Sequence, residues 1–167
     1  SANTQINELK KIKKVFNKTF IKAVDLILNC KGKVIFAGIG KSGLIARKIS
    51  ATFSSVGIPS FFCDPAQALH GDMGQIEKKD LLIIFSYSGN TSELINMIKY
   101  ANRFRIKIIG VASKSDSLLL KASDIKLILP KVKEADVTGM VPTSSTSITL
   151  LLGCLLYTSP SPRDTMS

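Results

Sequence analysis

Cysteine is scarce in this chain: Cys30, Cys63 and Cys154 are odd in number and lack the spacing of a metal site or a redox motif. A disulfide framework is thereby excluded, and a reduced, cytoplasmic setting is expected. Long hydrophobic runs are missing too. The longest near the end, Ile148 to Tyr157, is interrupted and too short to span a bilayer, so no membrane partner is expected. The first residues are polar with no apolar core after a charged start, which argues against a signal peptide. Acidic residues are few, 12 against 23 Lys+Arg, for a formal charge of +11. Lys10, Lys11, Lys13, Lys14, Lys18 and Lys22 crowd the start, yet aromatics and arginine are sparse there and no nucleic-acid-reading motif appears. Between these lysines Ile12, Val15, Phe16, Thr19, Phe20 and Ala23 recur at helical spacing. The cluster therefore reads as the solvated face of one amphipathic helix, not as a nucleic-acid site. The basic balance instead favours anionic small-molecule substrates by electrostatic steering. Internal repeats and long linkers are also lacking.

What is present is a single globular domain: 167 residues, 45% hydrophobic and 21% charged. After the first helix, Lys33–Ala37, Ser60–Cys63, Leu81–Phe85, Lys107–Ala112 and Ile125–Leu129 read as five strands. Helical patterns alternate with them, through Leu44 to Val56, Glu93 to Phe104 and Leu118 to Ala122. Near-continuous Val/Ile strands alternating with helices predict an α/β fold, a three-layer, doubly wound five-stranded parallel sheet covered on both faces. Flavodoxin-like strand order is expected, with the ligand beyond the carboxyl ends of the strands. Thr143 to Gly153 reads as the start of a further helix. The last fourteen residues break the pattern: Thr158-Ser159-Pro160-Ser161-Pro162-Arg163-Asp164 carries two helix-ending prolines. From Cys154 the string looks like the in-frame translation of a transposase adapter used in sequencing libraries. The expected division is residues 1–32 as an N-terminal helix, 33–153 as the core and 154–167 as a non-native tail.

Three loops carry chemistry. Ser86-Tyr87-Ser88-Gly89-Asn90-Thr91-Ser92-Glu93 joins a buried strand to a helix. One hydroxyl would suffice for a helix cap, whereas Ser86, Ser88, Thr91 and Ser92 beside a positive helix end suit a phosphate dianion. Gly38-Ile39-Gly40-Lys41-Ser42-Gly43 matches G-x-G-x-x-G, with Asp64 about 20 residues on, as a ribose-binding acid would be. A nicotinamide-dinucleotide module is therefore a rival. Against it stand the cation Lys41 within the turn and the second, hydroxyl-rich loop, which together suit a small phosphorylated molecule gripped at both ends. His70, the only histidine, lies beside Gly71 and Asp72 between the second and third strands. Glu93 could merely favour the helix dipole, and Glu134 could be a solvated loop charge. Pro142-Thr143-Ser144-Ser145-Thr146 is either a capping sequence or a third anion-friendly helix start.

Taken together, these segments resemble the SIS (sugar isomerase) domain of arabinose-5-phosphate isomerases. The resemblance runs from Val34 to Gly153 and includes Pro59-Ser60-Phe61-Phe62, Ala68-Leu69-His70-Gly71-Asp72 and Lys133-Glu134-Ala135. It implies a cofactor-independent isomerase that interconverts D-arabinose 5-phosphate and D-ribulose 5-phosphate through an enediolate, for the octulosonate sugar of lipopolysaccharide. The family's catalytic residues fall on Lys41, His70, Glu93 and Glu134. Family substrate contacts touch Gly57 and Ile58, Asn96 to Arg105 and Pro130 to Val132, while Ser42, His70, Ser86, Ser88, Thr91, Ser144 and Ser145 are expected to hold the phosphate and hydroxyls of the substrate. Asp64 stands where the family often has a metal-binding histidine, so no metal is expected, and Asn90 replaces a common glutamate. A further family histidine, the final helices and paired CBS domains would lie beyond Gly153. A homo-oligomer, dimer or tetramer, is implied by shared sites. A different class remains open: SIS domains also serve as non-catalytic sugar-phosphate sensors, usually fused to a helix-turn-helix, for which one helix before Val34 leaves no room.

Overall fold

The computed structural model describes residues 2–15, 17–68, 71–134, 153 and 156. Its strands are Val34–Gly38 (β1), Ser60–Cys63 (β2), Leu81–Phe85 (β3), Lys107–Ala112 (β4) and Ile125–Ile128 (β5). They form one sheet in the order β2-β1-β3-β4-β5, every neighbouring pair parallel. Val34 pairs with both Ser60 and Leu81, and Ile83 with Ile109. The helices are Ala2–Leu9 (α1), Lys18–Leu28 (α2), Gly40–Ser55 (α3), Ile95–Arg103 (α4) and Leu118–Ala122 (α5).

Every residue of β1 and β3 is buried, which is why their sequences are continuous apolar runs without alternation. Their side chains still alternate between two cores. Val34, Phe36, Leu81, Ile83 and Phe85 meet Phe20, Ala23, Val24 and Ile27 of α2 and Ile45, Ile49 and Phe53 of α3. Ile35, Ala37, Leu82 and Ile84 meet Met97, Ile98 and Ala101 of α4 and Leu119 and Leu120 of α5. In the first core the Phe36 ring lies parallel to Phe85 at 6.0 Å and edge-on to Phe53 at 4.9 Å. Leu156, in the segment set aside as a tail, is 2% exposed and joins that core.

The single N-terminal helix expected from the periodicity is instead three pieces: α1, a 3-10 stretch Lys10–Val15, and α2. Asn17 causes the restart. It is extended (φ −134°), and its side chain accepts the Phe20 N–H at 3.1 Å, capping α2. Asparagine favours such a cap over the interior of a helix. Likewise the helix after β3 opens as a 3-10 turn, Ser92–Leu94, before α4. The helix expected over Thr143 to Gly153 lies outside the described residues except Gly153, which is helical and buried. Among the described residues no helix is long and apolar enough to cross a membrane.

Candidate functional site

At the carboxyl ends of β1 and β3 the chain departs in opposite directions. β1 feeds α3 in the first core, and β3 feeds α4 in the second. Adjacent strands with diverging connections leave a crevice between them, the general ligand position of a doubly wound sheet. The glycine loop lines one side and the serine loop the other.

On the first side, α3 is brought unusually near the end of β1. A Cβ on Gly43 would lie 2.6 Å from the Gly38 carbonyl oxygen, and one on Gly38 2.9 Å from the Ser42 backbone. Gly40 has φ +60°, a conformation that glycine adopts without the steric cost of a side chain. Lys41 and Ser42 thus occupy the first turn of α3, Lys41 exposed and Ser42 partly so. On the other side, the hydroxyls do not act alike. Ser86 is 5% exposed; its Oγ accepts the Gly89 N–H at 3.1 Å and shares a 3.1 Å hydrogen bond with Thr91 Oγ1. Ser88 is exposed, its Oγ accepting the Asn90 N–H at 3.2 Å. Asn90 Oδ1 in turn accepts the Leu118 N–H at 3.0 Å, and Gly89 takes φ +71° against Ser117. The loop is pre-shaped by its own bonds, with Ser86 as scaffold and Ser88 and Thr91 towards solvent. Glu93 is exposed and accepts the Ser92 hydroxyl at 3.2 Å.

A third segment reaches this end of the sheet. After β5, Pro130 to Glu134 runs without regular structure. The Val132 N–H donates to Tyr87 Oη at 3.0 Å, tying the segment that carries Glu134 to the serine loop. The Lys133 N–H donates to Glu8 Oε2 at 2.9 Å. The Glu8 carboxyl is held below its usual range, first by the hydrogen bond from Lys11 and then by that Lys133 amide. Neither Tyr87 nor Glu8 stands out in the sequence, although Glu8 and Lys11 have the i,i+3 spacing of a helical ion pair.

Gly57 and Ile58 do not join this arrangement. They form the turn between α3 and β2, and β2 begins at Ser60 beside Val34, the first residue of β1. The turn is therefore at the amino edge of the sheet, opposite the crevice. Gly57 has φ +88°, and its N–H donates to Ser54 O at 3.1 Å, an ordinary helix stop. His70, Ser144 and Ser145 lie outside the described residues. Asp64 turns the chain after β2, its Oδ1 accepting the Ala66 N–H at 2.9 Å. Among the described residues no three His, Cys, Asp or Glu side chains are grouped to hold a metal.

Beside Asp64, Cys63 is 4% exposed, and burial, then Asp72 and Asp64, push its thiol up to about 11. The thiolate is the reactive form. Cys63 is accordingly expected to stay unmodified by a disulfide reagent at pH 8 in the folded chain and to react once urea unfolds it. Rapid labelling in the native state would contradict this placement.

The SIS domain family profile matches residues 27–159, running past Gly153 into the segment set aside as a tail. Among curated proteins, uncharacterized protein RP505 of Rickettsia prowazekii (strain Madrid E) is 47% identical over 139 residues, 83% of this chain and 43% of that protein. Arabinose 5-phosphate isomerase KdsD of Escherichia coli (strain K12) is 40% identical over 145 residues, 87% of this chain and 44% of that protein. The chain thus spans less than half the length of these curated relatives. Among solved structures, E. coli CFT073 c3406 in complex with arabinose 5-phosphate superposes with a TM-score of 0.82 at 34% identity, over 95% of this chain and 89% of that one. A profile match over most of the sequence, on a parallel sheet of this order with its crevice between β1 and β3, makes the chain a member of the SIS domain family.

Proposed function

We propose that the chain is the SIS domain of an aldose–ketose isomerase that interconverts D-arabinose 5-phosphate and D-ribulose 5-phosphate, in the supply of the octulosonate sugar of lipopolysaccharide. The observation that carries this reading is the crevice itself. A lysine at the start of α3 stands on one side and a pre-shaped hydroxyl loop on the other, in a chain 34% identical to one solved with arabinose 5-phosphate. The exposed Ser88 and the partly exposed Thr91 are the loop hydroxyls offered to a phosphate. Loop amides at the start of the helix after β3 favour the same charge.

The reaction needs one base and one cation. A carboxylate, Glu134 in this reading with Glu93 the alternative, removes the proton from C2 of the open-chain aldose. The electron pair forms the C1–C2 double bond and O1 takes up the negative charge, which Lys41 stabilises. The proton returns to C1 while the O2 hydroxyl proton passes to O1, giving the 2-ketose. His70, as an imidazole able to give and to take a proton, assists ring opening or that hydroxyl transfer. Ser42, Ser144 and Ser145 complete the grip on phosphate and hydroxyls. No cofactor is required. Gly57 and Ile58, on the opposite edge, would reach a substrate only across an interface between chains, as in a homo-oligomer.

A thermal-shift titration tests the site. D-Arabinose 5-phosphate at 100 times its dissociation constant should stabilise the chain by about 2.7 kcal/mol, and Ser88→Ala should weaken that gain. Inorganic phosphate should act weakly and NAD not at all. Stabilisation by NAD alone would replace this reading with the dinucleotide module.

A further inference from the structure

We infer that Tyr87 and Glu8 are positioning residues that jointly fix the segment bearing Glu134 at the crevice. The inference rests on the reading of Glu134 as the base, and it concerns two residues which that chemistry does not otherwise use.

The last sheet bond on this strand is Leu129 N–H to Ala112 O at 2.7 Å, and the next residue, Pro130, has no N–H to give. The ladder does not continue from there, and the chain runs on to Glu134 outside the sheet. Instead two successive amides are taken by two remote side chains. Val132 donates to Tyr87 Oη across 45 residues of sequence, and Lys133 to Glu8 Oε2 across 125. Both anchors are themselves fixed. The Tyr87 carbonyl accepts the Ser113 N–H at 2.8 Å and the Ser113 hydroxyl at 2.7 Å, which ties the serine loop to the end of β4. Glu8 Oε2 also meets Lys11 Nζ at 2.6 Å, and the Glu8 side chain is only 12% exposed. Leu9, Tyr87 and Val132 pack against the same core, so the three elements meet over apolar ground. A carboxylate accepting a backbone N–H makes a stronger bond than a neutral acceptor, and the Lys133 amide gives such a bond at the exposed edge of that ground. The segment after β5 is thus gripped from the serine loop by Tyr87 and from the N-terminal helix by Glu8, which makes α1 part of the site's frame.

Proton abstraction is unforgiving of position: a displacement of about 1 Å can cost about 10²-fold in rate. Losing either anchor should therefore act on turnover more than on substrate affinity. The test compares Tyr87→Phe, Glu8→Ala and Glu8→Gln in the full chain. Amide exchange at Val132 and Lys133 is measured beside kcat and KM for D-arabinose 5-phosphate, with Glu134→Gln as the control for the function itself. Expected are faster exchange at Val132 in Tyr87→Phe and at Lys133 in Glu8→Ala, with Ile83 and Ile109 in the central strands unchanged. Alongside, kcat should fall about 10-fold with KM within about twofold, and Glu8→Gln, which keeps an acceptor oxygen, should recover part of both. Unaltered exchange at Val132 and Lys133 overturns the anchoring. Loss of protection across β3 and β4 together makes the two residues merely structural and overturns the positioning role, as does selective exchange with unchanged kcat. A version completed beyond residue 153 that binds the sugar phosphate without turning it over sinks the isomerase reading instead, while the exchange data still decide whether the anchors hold.

Discussion

Exchange of Glu134 for glutamine is expected to slow the interconversion of D-arabinose 5-phosphate and D-ribulose 5-phosphate by about 10²–10⁴-fold, with KM little changed. Glutamine has almost the same shape but cannot accept the C2 proton, so the loss should fall on the chemical step. Glu134 is favoured over Glu93 because of what surrounds each. The segment before Glu134 is tied at Val132 and Lys133, whereas Glu93 is exposed in a 3-10 turn beside the hydroxyl of Ser92. A base held by fixed neighbours keeps its geometry through both proton transfers. The decisive measurement is turnover in deuterium oxide, followed by NMR, for Glu134→Gln and Glu93→Gln. A large loss of both turnover and deuterium uptake in Glu134→Gln alone supports the assignment. The same loss in Glu93→Gln alone exchanges the two roles, and normal turnover in both variants ends the carboxylate-base account. Unfolding cannot mimic the result if the thermal midpoints of both variants match the wild type.

The sheet was legible because its central strands are covered on both faces. A parallel strand in that position must be apolar at every residue, and Val34 to Ala37 and Leu81 to Phe85 are. The glycine and serine loops were legible for a related reason: each is punctuation between an unmistakable strand and helix. Other features were not legible, for different reasons. The break at Asn17 depends on a side chain choosing a cap over a helix that the flanking periodicity would have continued. The pairings Tyr87–Val132 and Glu8–Lys133 join residues far apart in sequence, and no spacing rule connects them. Ser86 and Ser88 look equivalent in the sequence, yet the loop's own bonds bury one and expose the other. The position of Gly57 and Ile58 is different, since a signal existed. In a parallel sheet, a turn leading into a strand lies at the amino edge, so residues before β2 are across the sheet from residues after β1 and β3.

Gly43→Ala should disrupt the side of the crevice formed by α3 and β1. The new Cβ would meet the Gly38 carbonyl oxygen at 2.6 Å and its carbon at 3.1 Å. Both are backbone atoms of a strand paired on each side, so neither can turn away as a flexible side chain would. Relief must come from lifting the first turn of α3 off β1. Overpacking of this kind costs about 1–3 kcal/mol. For a chain of this size each kcal/mol lowers the thermal midpoint by about 2–4 °C. The lift would also displace Lys41 and Ser42, which stand in that same turn, so sugar-phosphate binding should weaken along with stability. Gly40→Ala supplies the contrast. No atom lies within 4 Å of its Cβ, and only the backbone at φ +60° opposes it. Its cost should be about 1–2 kcal/mol of left-handed strain, without the clash that lifts the helix. Differential scanning calorimetry of both variants, each with and without D-arabinose 5-phosphate, separates the two effects. If Gly43→Ala melts with the wild type, the close approach of helix to strand is not what positions Lys41. If it melts lower and binds less, while Gly40→Ala melts lower but keeps more of its affinity, then the third glycine of the loop sets the width of the crevice and the second only its turn.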